Sequence, residues 1–183
     1  MKMFTKTDFE NIVRDFLFTY RQFLLHAYLH KRVNHDAYEA NRITWNVLLI
    51  SLESGALLGL AKILYDRGKN LGRPFSDGLG KTFNNEKINY KELNEIRKKI
   101  LNLRHDYIAH QNLLKMRNID SLLKENQLTG TDGVKMIDAL KSRLILYQKN
   151  LKLDVDVQKL FTESQNNALT DLNSWLKTFK KEL

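Results

Sequence analysis

The chain contains no cysteine, which excludes a disulfide framework, a thiolate zinc site and a cysteine nucleophile and suits a reducing cytoplasm. It has a single proline, Pro74, and eight glycines in 183 residues. Gly68, Gly72, Gly78 and Gly80 fall in one stretch, and Gly130 and Gly133 mark a second. Between these breaks apolar residues recur at helical spacing and never alternate for long, so no strand is expected. The first residues, Met1 to Asp8, lack an apolar segment of the secretory kind. The most apolar run, Val47 to Leu64, is interrupted by Ser51, Glu53, Ser54 and Lys62. Charges near a bilayer centre are costly, so the run is expected to form a buried core helix rather than a membrane span. Neither an internal repeat nor a low-complexity tract is present, and residues 1–183 are read as a single helical domain.

What is present is apolar content and positive charge. Hydrophobic residues make up 43% of the chain, enough for a real core. Thirty Lys and Arg stand against 21 Asp and Glu, a formal charge of +9. Such a surplus favours polyanionic partners such as RNA, DNA or an acidic membrane surface, without choosing among them. A solvated basic surface accounts for it equally well.

Five amphipathic helices are predicted. The first begins near Thr7, where Thr7 and Glu10 have the spacing of a capping box, and carries Phe9, Ile12, Phe16, Tyr20, Phe23 and Ala27. The second runs from about Ala37 to Arg67 with Trp45, Leu48, Leu52, Ala56 and Ile63, ending at Gly68. The third follows Asn89, with Glu92 placed to reciprocate the cap, and has the clearest pattern: Leu93, Ile96, Ile100, Leu103, Tyr107, His110 and Leu114. The fourth follows Gly133 with Ile137, Leu140, Leu144, Tyr147 and Leu151. The fifth spans about Val157 to Lys181 with Phe161, Ala168, Leu172, Trp175 and Phe179. One-sided stripes of this kind make an all-α, up-and-down bundle of about five helices.

The third helix holds the candidate chemistry, Arg104-His105-Asp106-Tyr107-Ile108-Ala109-His110. His110 takes a position where the stripe calls for leucine or isoleucine, and Arg104 lies at the border of the same face. Left unpartnered in a core, such groups cost on the order of 1–3 kcal/mol each. A partner, a cleft or another subunit is implied. At about 100° per residue, Arg104 and His110 flank an arc with Tyr107 between them. Asp106 lies one turn before His110, near enough to hold an imidazole nitrogen.

An arginine, a polar residue and then an Ala-His pair, inside a late helix of an all-α bundle, resembles the signature of the HEPN family. The likeness is closest to bacterial HEPN proteins of abortive-infection and toxin–antitoxin systems. It follows the helix order of most of the chain and is strong in detail around Arg104 to His110. The resemblance implies a metal-independent endoribonuclease without a cofactor, with His110 as the catalytic histidine and Arg104 on phosphate. His105 takes the polar position after the arginine, and Asp106 is the candidate for orienting the site. It further implies a homodimer whose motif helices face one cleft, and an antitoxin protein as a possible partner. RNA supplies its own nucleophile, the 2′-hydroxyl, so a titratable imidazole and a fixed guanidinium suit the chemistry.

Arg97, Lys98 and Lys99 precede the motif by one to two turns and, with Tyr107, are candidate RNA contacts; a solvated helix face explains each lysine or arginine as well. His26 and His30, one turn apart with His35 behind, have a spacing that can hold a metal, but no third helical ligand or Glu-x-x-His pair accompanies them, and no metal is expected. A frayed, exposed helix end is the expected setting. Ser51, Gly55 and Gly59 form a small-residue strip suited to close helix packing, and Glu53, off that strip, is a candidate partner for Arg104. Two rivals stand beside the nuclease: a non-catalytic HEPN-like binding module, and a purely structural helical domain.

Overall fold

The computed structural model describes residues 6–32, 35–64, 90–105, 119–150 and 152–181. Among them the chain forms helices and no strand. The helices are α1 (Lys6–Arg32), α2 (His35–Ala40), α3 (Arg42–Leu64), α4 (Tyr90–Asn102), α5 (Ile119–Glu125), α6 (Gly130–Asn150) and α7 (Val157–Lys181). The expected all-α bundle is found, and the described residues alone form seven helices where five were predicted.

The long helices pack in a closed circuit, α1 on α3, α3 on α4, α4 on α6, α6 on α7 and α7 back on α1. Its centre is one cluster built from all five, including Phe9 and Phe16 of α1, Leu60 and Leu64 of α3, and Ile96 and Ile100 of α4. Leu140 and Leu144 of α6 and Phe161 of α7 complete it. A smaller cluster joins Leu29, Trp45 and Leu172. The predicted stripes of α1, α4, α6 and α7 thus face inward, as amphipathic helices must to cover their apolar sides.

Several boundaries differ from expectation. Helix α1 starts at Lys6, so Thr7 is inside it, and Glu10 pairs with Lys6 at 3.8 Å. The predicted second helix is two helices separated at Asn41. The Asn41 N–H reaches back to the Tyr38 carbonyl at 3.2 Å, and its own carbonyl accepts from Trp45 N–H at 3.0 Å. Asn41 therefore sits at the cap position of α3, which suits an asparagine. The Tyr38 hydroxyl donates to Asn46 Oδ1 at 2.5 Å across the break. Glu92, expected to cap α4, joins Lys135 of α6 in an ion pair.

Helix α5 was not expected, and α6 starts at Gly130 rather than after Gly133. The reason is a reciprocal cap: Thr129 N–H donates to Asp132 Oδ2 at 2.9 Å, while Asp132 N–H donates to Thr129 Oγ1 at 3.1 Å. Asp156 caps α7 in a similar way, accepting from Lys159 N–H at 2.9 Å.

Helix α3 is apolar nearly all round. By length and composition it is the one helix among the described residues long and apolar enough to cross a membrane, with 28% of its most apolar window buried. The buried part is mostly its C-terminal half, Ala56 to Leu64, whereas Ile43, Val47 and Ile50 are exposed. The expectation of a core helix therefore holds for one half of it.

The small-residue strip does bring α1 and α3 together. A Cβ on Gly59 would stand 2.1 Å from Thr19 Oγ1 and 3.0 Å from Thr19 Cβ, and Thr19 is buried with its hydroxyl donated to the Asp15 carbonyl at 2.9 Å. A Cβ on Gly55 would meet only the amide end of Gln22. Gly59→Ala should therefore destabilise the fold by about 1–2 kcal/mol, overpacking outweighing the helix propensity gained. Gly55→Ala should be neutral or mildly stabilising, because the Gln22 amide can swing away. Urea denaturation of both variants checks this, and equal effects would contradict it.

Candidate functional site

Of the motif, Arg104 and His105 are described; Asp106, Tyr107 and His110 lie outside the described residues. Arg104 is half-buried and His105 exposed, beside buried Leu103. The border position expected for Arg104 is what is observed. The helix does not stay regular here. Over residues 103–105 it widens into a π-helical turn, so ideal α-helical angles do not apply at Arg104. Such turns occur mostly as single insertions and frequently at functional sites.

The basic residues before the motif have partners within the chain. Arg97 donates to the Leu64 carbonyl at the end of α3, 3.3 Å away, and so serves the C-terminal end of that helix. Lys98 pairs with Glu95 at 2.8 Å, and Lys99 donates to the Gln127 carbonyl at 3.1 Å. The Lys98 pair is exposed and therefore weak, leaving its ammonium available to a phosphate. Asn102 Nδ2 donates to Oδ1 of buried Asn126 at 3.0 Å. The Lys99 and Asn102 bonds together tie the end of α4 to the segment between α5 and α6.

A cavity of about 360 Å³ opens beside this end of α4. Its walls are Phe23 of α1, Ala56 and Leu60 of α3, Ile100 of α4 and Leu103 of the wide turn. Leu123, Asn126 and Leu128 close it from the side of α5 and the following segment. Its ionisable lining groups are His26 and Glu53.

His26 is not where the sequence predicts it. His26 is half-buried in a continuous helix that runs on to Arg32, not at a frayed end, and its ring lies 6.2 Å from that of exposed His30. Its side chain continues the row of Phe16, Thr19 and Phe23 in steps of three and four, a spacing that could have marked it. Glu53 is exposed and stands where the cavity meets solvent. Among the described residues no three His, Asp or Glu side chains gather as a metal site would require.

Burial pushes the His26 imidazole below its ordinary value of 6.5; the Glu53 carboxylate pulls it upward, and His30 adds a further downward push. The unfolded chain therefore takes up this proton more readily than the folded one. Stability from this group is complete above about pH 6.5 and declines as the pH falls through the folded value. Histidine resonances followed by NMR should place the His26 midpoint below 6.5, and Glu53→Gln should lower it further. An upward move in that variant would mean that the two groups do not interact as described. No family model, curated protein or solved structure matches the chain.

Proposed function

We propose that this chain is a HEPN-like endoribonuclease of the host-defence or toxin type, cytoplasmic, acting as a homodimer and independent of metal. Its strongest support is the widened turn at 103–105, which falls where the Arg104…His110 motif begins and borders a cavity. The +9 charge suits an RNA substrate. Arg104 holds the phosphate, His110 exchanges protons, and His105 and Asp106 orient the pair. Lys98, Lys99, Arg97 and Tyr107 are the remaining candidate contacts to the strand. A dimer cleft would cover the polar motif residues and bring two copies of His110 together, one to accept a proton and one to donate it. An antitoxin protein would act by covering the same groove.

A non-catalytic binding module of the same fold is the second reading. It is favoured by the bonds that Arg97 and Lys99 make to carbonyls of the chain itself, which give these cations structural work. Incubating the purified protein with total RNA in EDTA, beside the His110→Ala variant, separates the two. Cleavage by the wild type alone supports the nuclease; RNA binding without cleavage by either protein supports the module.

A further inference from the structure

The cavity beside the motif has a shape and chemistry that the cleavage step itself does not use. At about 360 Å³ it falls within the ~300–1,000 Å³ of small-molecule sites. Its walls are mostly aliphatic with the Phe23 ring among them, Asn126, Gln127 and Thr129 add uncharged polar groups on one side, and its charged group is the Glu53 carboxylate. A carboxylate only accepts hydrogen bonds, through two oxygens side by side. The ligand it fits best is flat, largely apolar on its faces, and carries two adjacent N–H donors on one edge.

We propose that the cavity receives an unpaired guanine base of the RNA, with Glu53 accepting from guanine N1–H and N2–H. The assignment rests on the ribonuclease reading for its source of ligand. Single-stranded RNA is read by splaying bases into such pockets, against aromatic side chains and with hydrogen bonds to the Watson–Crick edge. Guanine alone among the four bases sets two donors next to each other on that edge. Adenine and cytosine place a donor beside an acceptor, and uracil has one donor between two acceptors. His26, also on the cavity wall, carries an N–H in either protonation state and complements guanine O6. The Phe23 ring supplies the aromatic surface, and Gly133 lets α6 approach it, since a Cβ there would stand 2.5 Å from the ring. Leu103 carries the wall to the residue before Arg104, so a base held here brings its own phosphates to the guanidinium's end of the helix.

Titrating the protein with guanosine, inosine and adenosine 5′-monophosphates by NMR tests the pocket without any cleavage. Guanosine monophosphate should shift the resonances of Phe23, His26 and Leu103. Inosine monophosphate, lacking the N2 amine, and adenosine monophosphate should bind roughly tenfold to a hundredfold more weakly. Glu53→Gln, at an exposed position where folding is not at risk, should abolish the difference between the three. Mapping the cut sites in total RNA then gives an independent arm, with guanine expected at one fixed position from the cut in wild type and not in Glu53→Gln. Equal responses to the three nucleotides, or none, together with cuts indifferent to guanine, overturn the pocket and leave the ribonuclease standing. Selective guanosine binding without RNA cleavage supports the pocket and removes the ribonuclease reading.

Discussion

Replacing His110 with alanine should reduce the rate of RNA cleavage by about 10²–10⁴-fold, the usual weight of a positioned proton-transfer group. In the proposed reaction the 2′-oxygen attacks phosphorus as its proton passes to an imidazole. The bond to the 5′-oxygen breaks, and that oxygen takes up a proton as it leaves. The products are a 2′,3′-cyclic phosphate and a free 5′-hydroxyl, and no water or metal enters. A strand with a 2′-deoxy sugar at the scissile position should therefore resist cutting. Arg104→Lys keeps the charge but loses the planar fork that holds two phosphate oxygens, so it should be impaired as well. Circular dichroism should show both variants folded, Arg104 being only half-buried on the rim of the bundle. Cleavage that persists in both variants, or that stops in the wild type when EDTA is added, would overturn the mechanism.

The largest effect on stability should come from Phe161→Ala, at about 3–5 kcal/mol. Phe161 is 1% exposed at the start of α7. Its ring meets Phe16 edge-on at 5.3 Å and Tyr20 at 5.2 Å, and Lys141 Nζ lies 5.2 Å from its centre. Truncation removes contacts to both α1 and α6 and opens a cavity that the rigid Phe16 and Tyr20 rings beside it cannot close. For a chain of this size each kcal/mol lowers Tm by ~2–4 °C, so the variant should melt on the order of 10 °C below the wild type. Phe161→Leu should lose much less. A melting point within two or three degrees of the wild type for the alanine variant would mean that α7 contributes little to holding the core.

Where amphipathicity is one-sided, the helices were legible. Phe9, Ile12 and Phe16 in α1, Leu93, Ile96 and Ile100 in α4, and Val157, Phe161 and Leu172 in α7 are all buried. Legibility ended where a pattern carried no direction. Helix α3 is apolar on every side, so no periodicity revealed its break at Asn41 or its exposed N-terminal half. Gly130 and Gly133 were read as breakers, although Thr129 and Asp132 between them spell a helix start; an aspartate at the third position is a weaker sign than glutamate. The candidate site was legible in part. Arg104 stood out as a charge on an apolar border, and half-burial agrees with that. The cavity was not legible, because Phe23, Glu53, Leu103 and Asn126 meet only through the circuit of helices and share no local spacing. The half-burial of His26 is masked in the sequence by its histidine neighbours at metal-ligand spacing, although it also extends the inward row of Phe16, Thr19 and Phe23.

The circuit of helices has a consequence for how the chain acquires its shape. Helix α1 leans on α7 through Arg21 Nε to Ser164 Oγ at 2.7 Å, a bond between residues 143 apart, and through the Phe16–Phe161 contact. During synthesis α1 emerges well before α7, with Phe9 and Phe16 lacking the helix that covers them, which is made well over a hundred residues later. Until then α3, the next long helix and its most extensive neighbour, is the available cover. The Gly59 notch against Thr19 thus lets an early two-helix pairing form before the ring can close. Joining the ends of the ring is the step of greatest sequence separation, and in helical proteins such long-range closure is the slow part of folding. Truncations that remove α7 should on this account leave a compact but sticky intermediate, not a smaller native protein.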